Sequence, residues 1–305
     1  MHTGLLKFSL ILITVVLLGG CKDDNGAAAD QQTKVGVLLV NHGSESKVWR
    51  DMLLNVEANV NDELLAIDKV KGVKTAFMEY TEPSIATQMK AFDSEGFDEV
   101  VVVPLLLTVS SHSLDDIPNI IGLKSDPKVL ETLAKEKIEV YRPKARVTIT
   151  PNMDYTTLLK KNVNDRVSAL KNEGASGGVV LVAYGDKHYN QQWEEMMADI
   201  GRYLKAKSDV DTVAYAWCEH LVNYSPEPTM KAIQQVFELE DKVMVVPLLV
   251  AYDPAFQDDI IQKAVNQSEN SANIVYKPDA ILPDKNLEQW VVDITKQTLS
   301  STVGG

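Results

Sequence analysis

The sequence predicts an α/β protein of two tandem domains, each with a mainly parallel sheet between two layers of helices. Three observations lead to this fold class. Short runs rich in β-branched residues alternate with amphipathic segments along the chain. The strand-like runs are apolar almost throughout, which is typical of parallel sheets that are covered on both faces. The same pattern then occurs a second time after Gly177.

The first copy of the pattern contains four predicted strands with helical segments between them. VGVLLVN begins the series directly after Lys34, and EVVVVPLLL is its longest apolar run. Asp154 is expected to cap the helix after the fourth strand. The predicted strands are 35–41, 73–79, 99–107 and 146–150, and the helical segments lie at about 47–67, from Pro83 onward, and brokenly from Asp115 to about Lys135.

The second copy repeats these segments in the same order. GVVLVAYGD at 178–186 matches GVLLVNHGS at 36–44, and ANIVYKP at 272–278 matches ARVTITP at 145–151. VMVVPLLVAYDPAFQDDI at 243–260 matches VVVVPLLLTVSSHSLDDI at 100–117. Several matches in one order indicate an internal duplication. We therefore expect a first domain at 34–155 and a second at 156–305.

The amino terminus has the pattern of an export signal. The apolar run at 8–18 is too short to span a bilayer but suits the core of a secretory signal peptide. The run ends in Leu-Gly-Gly-Cys, which resembles a bacterial lipobox, so we expect a lipoprotein signal peptide at 1–20 and lipidation of Cys21. A plain signal peptide with a chance cysteine is the alternative. Residues 21–33 are polar and aperiodic, as in a flexible tether. We expect the chain to be an exported bacterial lipoprotein that is anchored to the cell membrane or the outer membrane.

The composition excludes several classes of function. The chain of 305 residues has 30 Lys and Arg against 43 Asp and Glu, a formal net charge of −13, and such acidity disfavours nucleic-acid binding. Neither a P-loop nor a G-x-G-x-x-G turn is present, so no nucleotide cofactor is expected. Once the signal is removed at Cys21, Cys218 has no second cysteine downstream to pair with, and we expect a buried, inert thiol.

Three side chains at predicted strand ends point to a metal site. His42 follows the first strand, Glu79 closes the second, and His112 lies five residues beyond the third. In a sheet of order 2-1-3, as in flavodoxin-like folds, these three ends are neighbours at the edge where ligands bind. Two imidazoles and a carboxylate suit Co²⁺, Fe²⁺, Ni²⁺ or Zn²⁺.

Each polar residue near these strand ends also has a purely structural interpretation. A histidine at a strand end is commonly just a hydrogen-bonded surface or core residue. Gly43 and Ser44 fit the turn into the next helix, with Ser44 as its cap. Asp115 and Asp116 are interpreted as helix-capping groups, and Glu82 as first-turn charge on the helix at Pro83.

Three blocks of this sequence, VGVLLVNHGS, TAFMEYTEPSI and VVVVPLLLTVSSHSLDDIP, resemble the signature blocks of class II tetrapyrrole chelatases. These are the CbiX/SirB/CbiK-type sirohydrochlorin cobaltochelatases and ferrochelatases, which are lyases. The resemblance covers 34–155 strongly and 175–299 as a degenerate copy. It implies a chelatase-like fold and ATP-independent insertion of Co²⁺ or Fe²⁺ into a sirohydrochlorin-type tetrapyrrole. His42 and His112 would be metal ligands and proton acceptors, with Glu79, or the nearby Glu82, as the carboxylate ligand.

The second copy departs from the family pattern, so we expect one active site per chain. Both family histidines are replaced there. His188 and His220 lie near its strand ends, either as surface residues or as part of the far wall of the same cleft. The corresponding positions are Tyr184 for His42, Ala255 for His112, and Trp217 or, with a two-residue shift, Glu219 for Glu79.

The export signal and the chelatase resemblance leave three functions open. The first is a chelatase that meets its tetrapyrrole outside the cytoplasm. The second is a non-catalytic metal- or tetrapyrrole-binding lipoprotein, and the third is a bilobed solute-binding lipoprotein. The presence of both histidines and Glu79 favours catalysis, because a tetrapyrrole carrier needs only one axial ligand. The expected partners are a tetrapyrrole, a divalent metal ion and the membrane that holds the anchor.

Overall fold

The computed structural model describes residues 33–301, which form two four-stranded sheets and ten α-helices. Every strand pairing within the two sheets is parallel. The strands are β1 (Val35–Asn41), β2 (Val70–Phe77), β3 (Glu99–Pro104), β4 (Arg146–Ile149), β5 (Gly178–Ala183), β6 (Val213–Trp217), β7 (Val243–Leu248) and β8 (Ile274–Tyr276). The helices are α1 (Lys47–Leu65), α2 (Ile85–Ser94), α3 (Ile117–Ile120), α4 (Pro127–Lys135), α5 (Leu158–Asn172), α6 (Asn190–Lys207), α7 (Glu227–Phe237), α8 (Pro254–Phe256), α9 (Lys263–Gln267) and α10 (Lys285–Ser301).

The two sheets have the same strand order, which confirms the predicted duplication and fold class. The first sheet runs β2-β1-β3-β4 and the second runs β6-β5-β7-β8. The predicted 2-1-3 arrangement is therefore correct in both copies. β1 and β5 are central strands whose residues are all buried, which explains their unbroken apolar sequences.

Local sequence explains how α1 begins and which face it buries. Ser46 is its N-cap, and the Ser46 hydroxyl accepts a hydrogen bond from the backbone N–H of Trp49. The prediction that Ser44 caps this helix is therefore wrong. The buried residues of α1 recur every three or four positions and face the interior; they are Trp49, Leu53, Val56, Val60 and Leu64.

Three other predicted boundaries differ from the structure. β2 begins and ends earlier than predicted. Its ladder with β1 stops at Phe77, and two residues later the Glu79 N–H donates to the His42 carbonyl. β3 ends at Pro104, a residue that has no N–H to donate. The prediction that Asp154 caps a helix is wrong: its carboxylate accepts a hydrogen bond from the Thr108 hydroxyl, and α5 begins only at Leu158.

The inner faces of the two sheets share one hydrophobic core. Residues of β1 and β3 belong to the same buried cluster as residues of β5 and β7, together with α1, α5, α6 and α10. Separate clusters cover the outer faces, with α2, α3 and α4 on the first sheet and α7 and α9 on the second. Each sheet thus lies between two helical layers, and the inner layer serves both sheets.

The last helix of each copy packs on the sheet of the other copy. α5 follows the first sheet in sequence but packs against α6 and β7, whereas α10 follows the second sheet and packs against α1 and β3. Asn162 of α5 donates to Asp284 Oδ2 at 2.6 Å, just before α10 begins. Asn59 of α1 donates to Glu288 Oε1 at 2.7 Å. These two helices are exchanged between the copies, and the exchange interlocks the two halves.

Several sequence predictions concern residues outside or at the margin of the described range. The signal peptide at 1–20, the lipidated Cys21 and nearly all of the tether at 21–33 lie outside the described residues. Within 33–301, no helix is long and apolar enough to cross a membrane. Cys218 is fully buried and forms no disulfide within residues 33–301, and burial raises the pKa of its thiol, as expected for an inert residue.

Candidate metal site

His42, Glu79 and His112 come together at the carboxyl edge of the first sheet. One ligand atom from each of the three residues lies within 4.8 Å of the others. His42 directly follows β1, Glu79 lies two residues after β2, and His112 opens a short π-helical turn after β3. Because β2, β1 and β3 are neighbours in the sheet, their carboxyl ends bring these side chains to one point. We call these three residues the metal-site triad.

Backbone contacts fix the first two loops against each other. The N–H groups of Met78 and Glu79 both donate to the His42 carbonyl, at 3.0 and 2.8 Å. Gly43 adopts a φ of +114°, and a Cβ at this position would lie 2.1 Å from the Glu79 carbonyl oxygen. Only glycine fits this backbone conformation and this close approach. The Gly43 turn therefore places His42 next to Glu79.

Each histidine of the triad is oriented through its Nδ1 atom, which leaves Nε2 free. His42 Nδ1 lies 3.0 Å from the Gly43 carbonyl, and His112 Nδ1 lies 2.8 Å from Asp116 Oδ2. Both oxygens are acceptors, so Nδ1 carries the proton and Nε2 presents its lone pair. The two rings meet edge to face, with centroids 4.7 Å apart.

The two imidazoles have opposite pKa shifts. Burial, together with the proximity of His112, lowers the pKa of His42 to about 4, so this ring is neutral at neutral pH. Burial alone would also lower the pKa of His112. The hydrogen bond and negative charge of Asp116, helped by Glu79, outweigh burial and raise the pKa of His112 above its ordinary value. Burial raises the pKa of Glu79, against the attraction of His112.

The triad offers two nitrogen ligands and one oxygen ligand. This donor set suits borderline divalent ions such as Co²⁺, Fe²⁺, Ni²⁺ and Zn²⁺. Three protein ligands also leave coordination positions open for a second molecule, as in metal sites that perform chemistry. Glu82 is exposed, and its carboxylate accepts a hydrogen bond from the backbone of Ser84. Among residues 33–301, the triad is the one cluster of three such ligands.

A cavity of about 500 Å³ opens beside the triad, and both copies line it. Trp49 and Tyr80 contribute aromatic surface from the first copy, and Tyr184, Tyr224 and Phe256 contribute it from the second. This size is within the range of small-molecule sites. The cavity therefore offers aromatic surface next to the three potential metal ligands.

Among the described residues, the second copy has no equivalent triad, but it keeps a carboxylate at the position of Glu79. β5 pairs Ala183 with Trp217, as β1 pairs Asn41 with Phe77, so Glu219 occupies the position of Glu79. Of the two alignments considered, the two-residue shift is therefore correct. Tyr184 directly follows β5, where His42 follows β1, and Ala255 lies in the short helix α8 after β7. Glu219, His188 and His220 all line the shared cavity.

Two loops of the first copy are hydrogen-bonded to loops of the second copy around this cavity. Ser44 Oγ donates to Asp253 Oδ2 at 2.6 Å. On the other side, the backbone N–H and hydroxyl of Ser111 donate to Asp186 Oδ2 at 2.8 and 3.0 Å. The loop after β1 thus contacts the loop after β7, and the loop after β5 contacts the loop after β3. The second copy holds the loops that carry His42 and His112.

The interpretation of Asp115 and Asp116 as helix caps is wrong. Asp116 makes no capping hydrogen bond; it accepts from the His112 ring. Asp115 accepts a hydrogen bond from the Tyr189 hydroxyl and lies 3.7 Å from Lys124 Nζ. The contact between Asp116 and His112 has a signal in the sequence, which is their four-residue spacing. Residues at this spacing lie on one side of a helical turn.

Comparisons with known proteins agree with this fold. A family model described as CbiX matches residues 36–170. The sirohydrochlorin cobaltochelatase of Sulfurisphaera tokodaii is 34% identical over 123 residues, covering 36% of this chain and 98% of the relative. That of Saccharolobus solfataricus is 28% identical over 102 residues, covering 33% of this chain and 75% of the relative.

Solved structures share the fold over most of the chain. SirB from Bacillus subtilis with Fe³⁺ has a TM-score of 0.67 and 18% identity, covering 89% of this chain and 98% of the other. The sirohydrochlorin chelatase SirB from Bacillus subtilis subspecies spizizenii, in complex with cobalt, has a TM-score of 0.63 with the same identity and coverage. At this identity the likeness concerns the fold.

Proposed function

This chain belongs to the class II tetrapyrrole chelatase family, and from that membership we propose that it inserts a divalent metal ion into a sirohydrochlorin-type tetrapyrrole without ATP. The metal, Co²⁺ or Fe²⁺, is a substrate of this lyase reaction. The observation that carries the proposal is the metal-site triad at the edge of an aromatic cavity. A metal ion on the triad would face a macrocycle in the cavity.

Metal insertion requires that the two pyrrole N–H protons leave the macrocycle as the metal enters. His42, whose pKa of about 4 keeps it neutral, serves as a ligand and holds protons poorly. His112 is the stronger base of the pair, because Asp116 stabilises its charged form. We therefore assign metal binding to His42 and Glu79, and to His112 both metal binding and proton acceptance as the metal departs.

The test is metallation of sirohydrochlorin by the purified full-length chain with Co²⁺ or Fe²⁺ in the absence of ATP. Insertion is followed by the absorption of the tetrapyrrole against a reaction without protein. We expect His42→Ala and Glu79→Gln each to abolish insertion while far-UV circular dichroism stays unchanged. Glu82→Gln is the matched control and should keep the wild-type rate, because its side chain is exposed and lies outside the triad.

The outcomes separate two of the three functions that the sequence leaves open, the chelatase and the non-catalytic binding lipoprotein. Insertion that is lost with His42→Ala supports the chelatase. A shifted spectrum without insertion would instead identify a non-catalytic tetrapyrrole-binding lipoprotein, and wild-type rates in His42→Ala and Glu79→Gln would exclude the triad from the reaction.

We also propose export and lipid anchoring through Cys21, supported by the apolar run at 8–18 and the Leu-Gly-Gly-Cys sequence. In a bacterial host, the wild-type chain should incorporate labelled palmitate and sediment with membranes. Cys21→Ala should lose the label. Equal labelling of the two proteins would contradict the anchor.

A further inference from the structure

Glu219 is a largely buried carboxylate of the second copy that the proposed reaction does not yet use. It follows β6 at the position where Glu79 follows β2 in the first copy. Its side chain is 15% exposed, and it lines the same cavity as His42 and His112. The second copy thus brings a carboxylate to the cavity beside the triad.

The carboxylate of Glu219 accepts no hydrogen bond from any of residues 33–301. The Nε2 atom of His220 lies 4.0 Å from Glu219 Oε1, which is too far for a direct hydrogen bond. Asp186 and Asp253 also line the cavity, but their carboxylates accept hydrogen bonds that link the two copies. A buried carboxylate without a donor is unfavourable, and contact with a ligand is one reason for a folded protein to keep it.

Electrostatic interactions connect Glu219 with the triad. Burial raises the pKa of Glu219, and the charges of His220 and His112 oppose this effect. The negative charge of Glu79 acts in the same direction as burial. Such interactions fade with distance, so the carboxylate lies near the triad without belonging to its cluster of three ligands. A carboxylate with a raised pKa is also a stronger base than an ordinary one.

Metal insertion releases two pyrrole protons, and the triad provides one clear acceptor for them. His112 can take a proton once the metal departs, whereas His42, with a pKa of about 4, is a weak base. While the metal ion is bound, the lone pairs of the triad are occupied. The first proton therefore needs an acceptor outside the triad, at a distance from the charge of the ion.

We propose that Glu219 accepts one of the two pyrrole protons and passes it to solvent through His220. One N–H bond of the macrocycle breaks, its electron pair stays on the nitrogen and binds the metal ion, and its proton forms an O–H bond on Glu219. The second pyrrole proton goes to His112 as the metal leaves the triad. This inference rests on the proposed chelatase function and adds to it a catalytic residue from the second copy.

His220 has the position and exposure to carry the proton away. Its side chain is 66% exposed, so it contacts solvent, and a small rotation would bring Nε2 to Glu219. On the other side of the ring, Nδ1 lies 2.7 Å from the Tyr224 hydroxyl. When Nδ1 donates its proton to this hydroxyl, Nε2 can accept the proton from Glu219 and then release it to water.

The first experiment measures metallation of sirohydrochlorin by the full-length chain with Co²⁺, and Co²⁺ affinity by competition with a coloured chelator. We expect Glu219→Gln to lower kcat by about 10²–10⁴-fold, which is typical for loss of a proton acceptor, with Co²⁺ affinity unchanged. Glu219→Asp keeps a carboxylate and should recover part of the rate. Glu238→Gln is the matched control: it removes the same charge at the exposed end of α7 and should keep the wild-type rate.

Thermal unfolding separates this role from a structural one. Glu219→Gln should unfold at the Tm of the wild type or above it, because the substitution removes a buried charge that lacks a partner. A lower Tm together with weaker Co²⁺ binding would make Glu219 a structural residue or a metal ligand, and would overturn the proposal.

Contact between Glu219 and the pyrrole N–H groups is tested by binding without turnover. Metal-free sirohydrochlorin carries these N–H groups and its cobalt complex lacks them, so only the metal-free form can donate to the carboxylate. The affinity is measured by quenching of tryptophan fluorescence, because Trp193 lines the cavity. Glu219→Gln should weaken binding of the metal-free form severalfold and leave binding of the cobalt complex unchanged. An equal effect on both forms would contradict the contact.

The exit route through His220 is tested by chemical rescue. His220→Ala should lower kcat severalfold, and imidazole added to the buffer should restore the rate, because a small soluble base can then take the proton from Glu219. Imidazole should not rescue Glu219→Gln. A wild-type rate in His220→Ala without imidazole would overturn this route.

The outcomes for the inference and for the function are distinct. If the wild type metallates sirohydrochlorin and Glu219→Gln does so at the same rate, the inference is wrong and the chelatase function stands. If the wild type metallates no tetrapyrrole, the proposed function fails and the proton transfer fails with it.

Discussion

We expect the metal affinity of the triad to depend on which nitrogen of each imidazole is free. His112 presents Nε2 because its Nδ1 proton is hydrogen-bonded to Asp116. His42 presents Nε2 because its Nδ1 proton is hydrogen-bonded to the Gly43 carbonyl. A backbone carbonyl cannot be removed by substitution, whereas a carboxylate can. Asp116 is therefore the place where orientation can be tested without removing a ligand.

We expect Asp116→Asn to weaken Co²⁺ binding by about 10–100-fold, which is typical for loss of a carboxylate that orients a metal-bound histidine. The affinity is measured by competition with a coloured chelator. Asp115→Asn is the matched control, since Asp115 contacts Tyr189 and Lys124 outside the triad, and it should bind Co²⁺ as the wild type does. If both variants lose Co²⁺ affinity equally, the negative charge of the turn sets the affinity and the hydrogen bond to His112 does not.

At the scale of elements, α2 is connected to β4 through one carboxylate. Asp93, near the end of α2, accepts hydrogen bonds from the backbone N–H groups of Lys144 and Ala145 and from the Tyr141 hydroxyl. Burial by itself would raise the pKa of Asp93, but these hydrogen bonds outweigh it and lower the pKa. The segment that leads into the edge strand of the first sheet is thus held by a charged acceptor.

We expect Asp93→Ala to reduce the free energy of unfolding by about 1–3 kcal/mol at pH 7, because three donors lose their acceptor and two of them belong to the buried Ala145 and the half-buried Tyr141. A group with a lowered folded pKa stabilises the protein above its unfolded pKa, and this contribution disappears as the pH falls through the folded pKa. The difference between wild type and variant, measured by urea denaturation, should therefore shrink below about pH 4. A difference that is constant from pH 7 to pH 3 would contradict this role.

The elements were predictable where one residue pattern determines one structure. The apolar runs VGVLLVN and GVVLVA are buried central strands, and the polar residues that follow such strands converge because parallel strands end at one edge. Asp116 was misinterpreted because an acidic residue before a helix has the same local signature whether it caps the helix or binds a histidine. Glu219 was ambiguous because the second copy shares too few residues with the first near β6 to fix the alignment by sequence alone.

At the scale of the whole molecule, the exchange of α5 and α10 was beyond prediction. The apolar pattern of an amphipathic helix identifies the face that is buried. The pattern is the same whichever of two similar sheets the helix covers, so it does not identify the sheet. The observed packing has α10 on α1 and β3 of the first copy. The carboxyl-terminal helix therefore supports the half of the protein that carries the triad.

We expect Leu287→Ala, a substitution in α10, to destabilise the protein by about 2–5 kcal/mol, because Leu287 is fully buried in the shared core. Hydrogen exchange should accelerate most in α1 and β3 of the first copy. Val236→Ala in α7 is the control, since it lies on the outer face of the second sheet and should affect β5 and β6. Exchange that rises only around β7 and β8 in Leu287→Ala would contradict the exchanged packing.

The exchanged helices and the degenerate second copy together have a genetic consequence. The duplication doubled the scaffold without providing a spare site, because the second copy keeps Tyr184 and Ala255 where the first has its histidines. Within residues 33–301, a substitution that damages the proposed site at His42 therefore has no second triad to replace it. Nor can the second copy be discarded, since the first depends on its final helix. Selection can thus act on the two halves for different properties, metal binding in one and support in the other, but only while both remain in one gene.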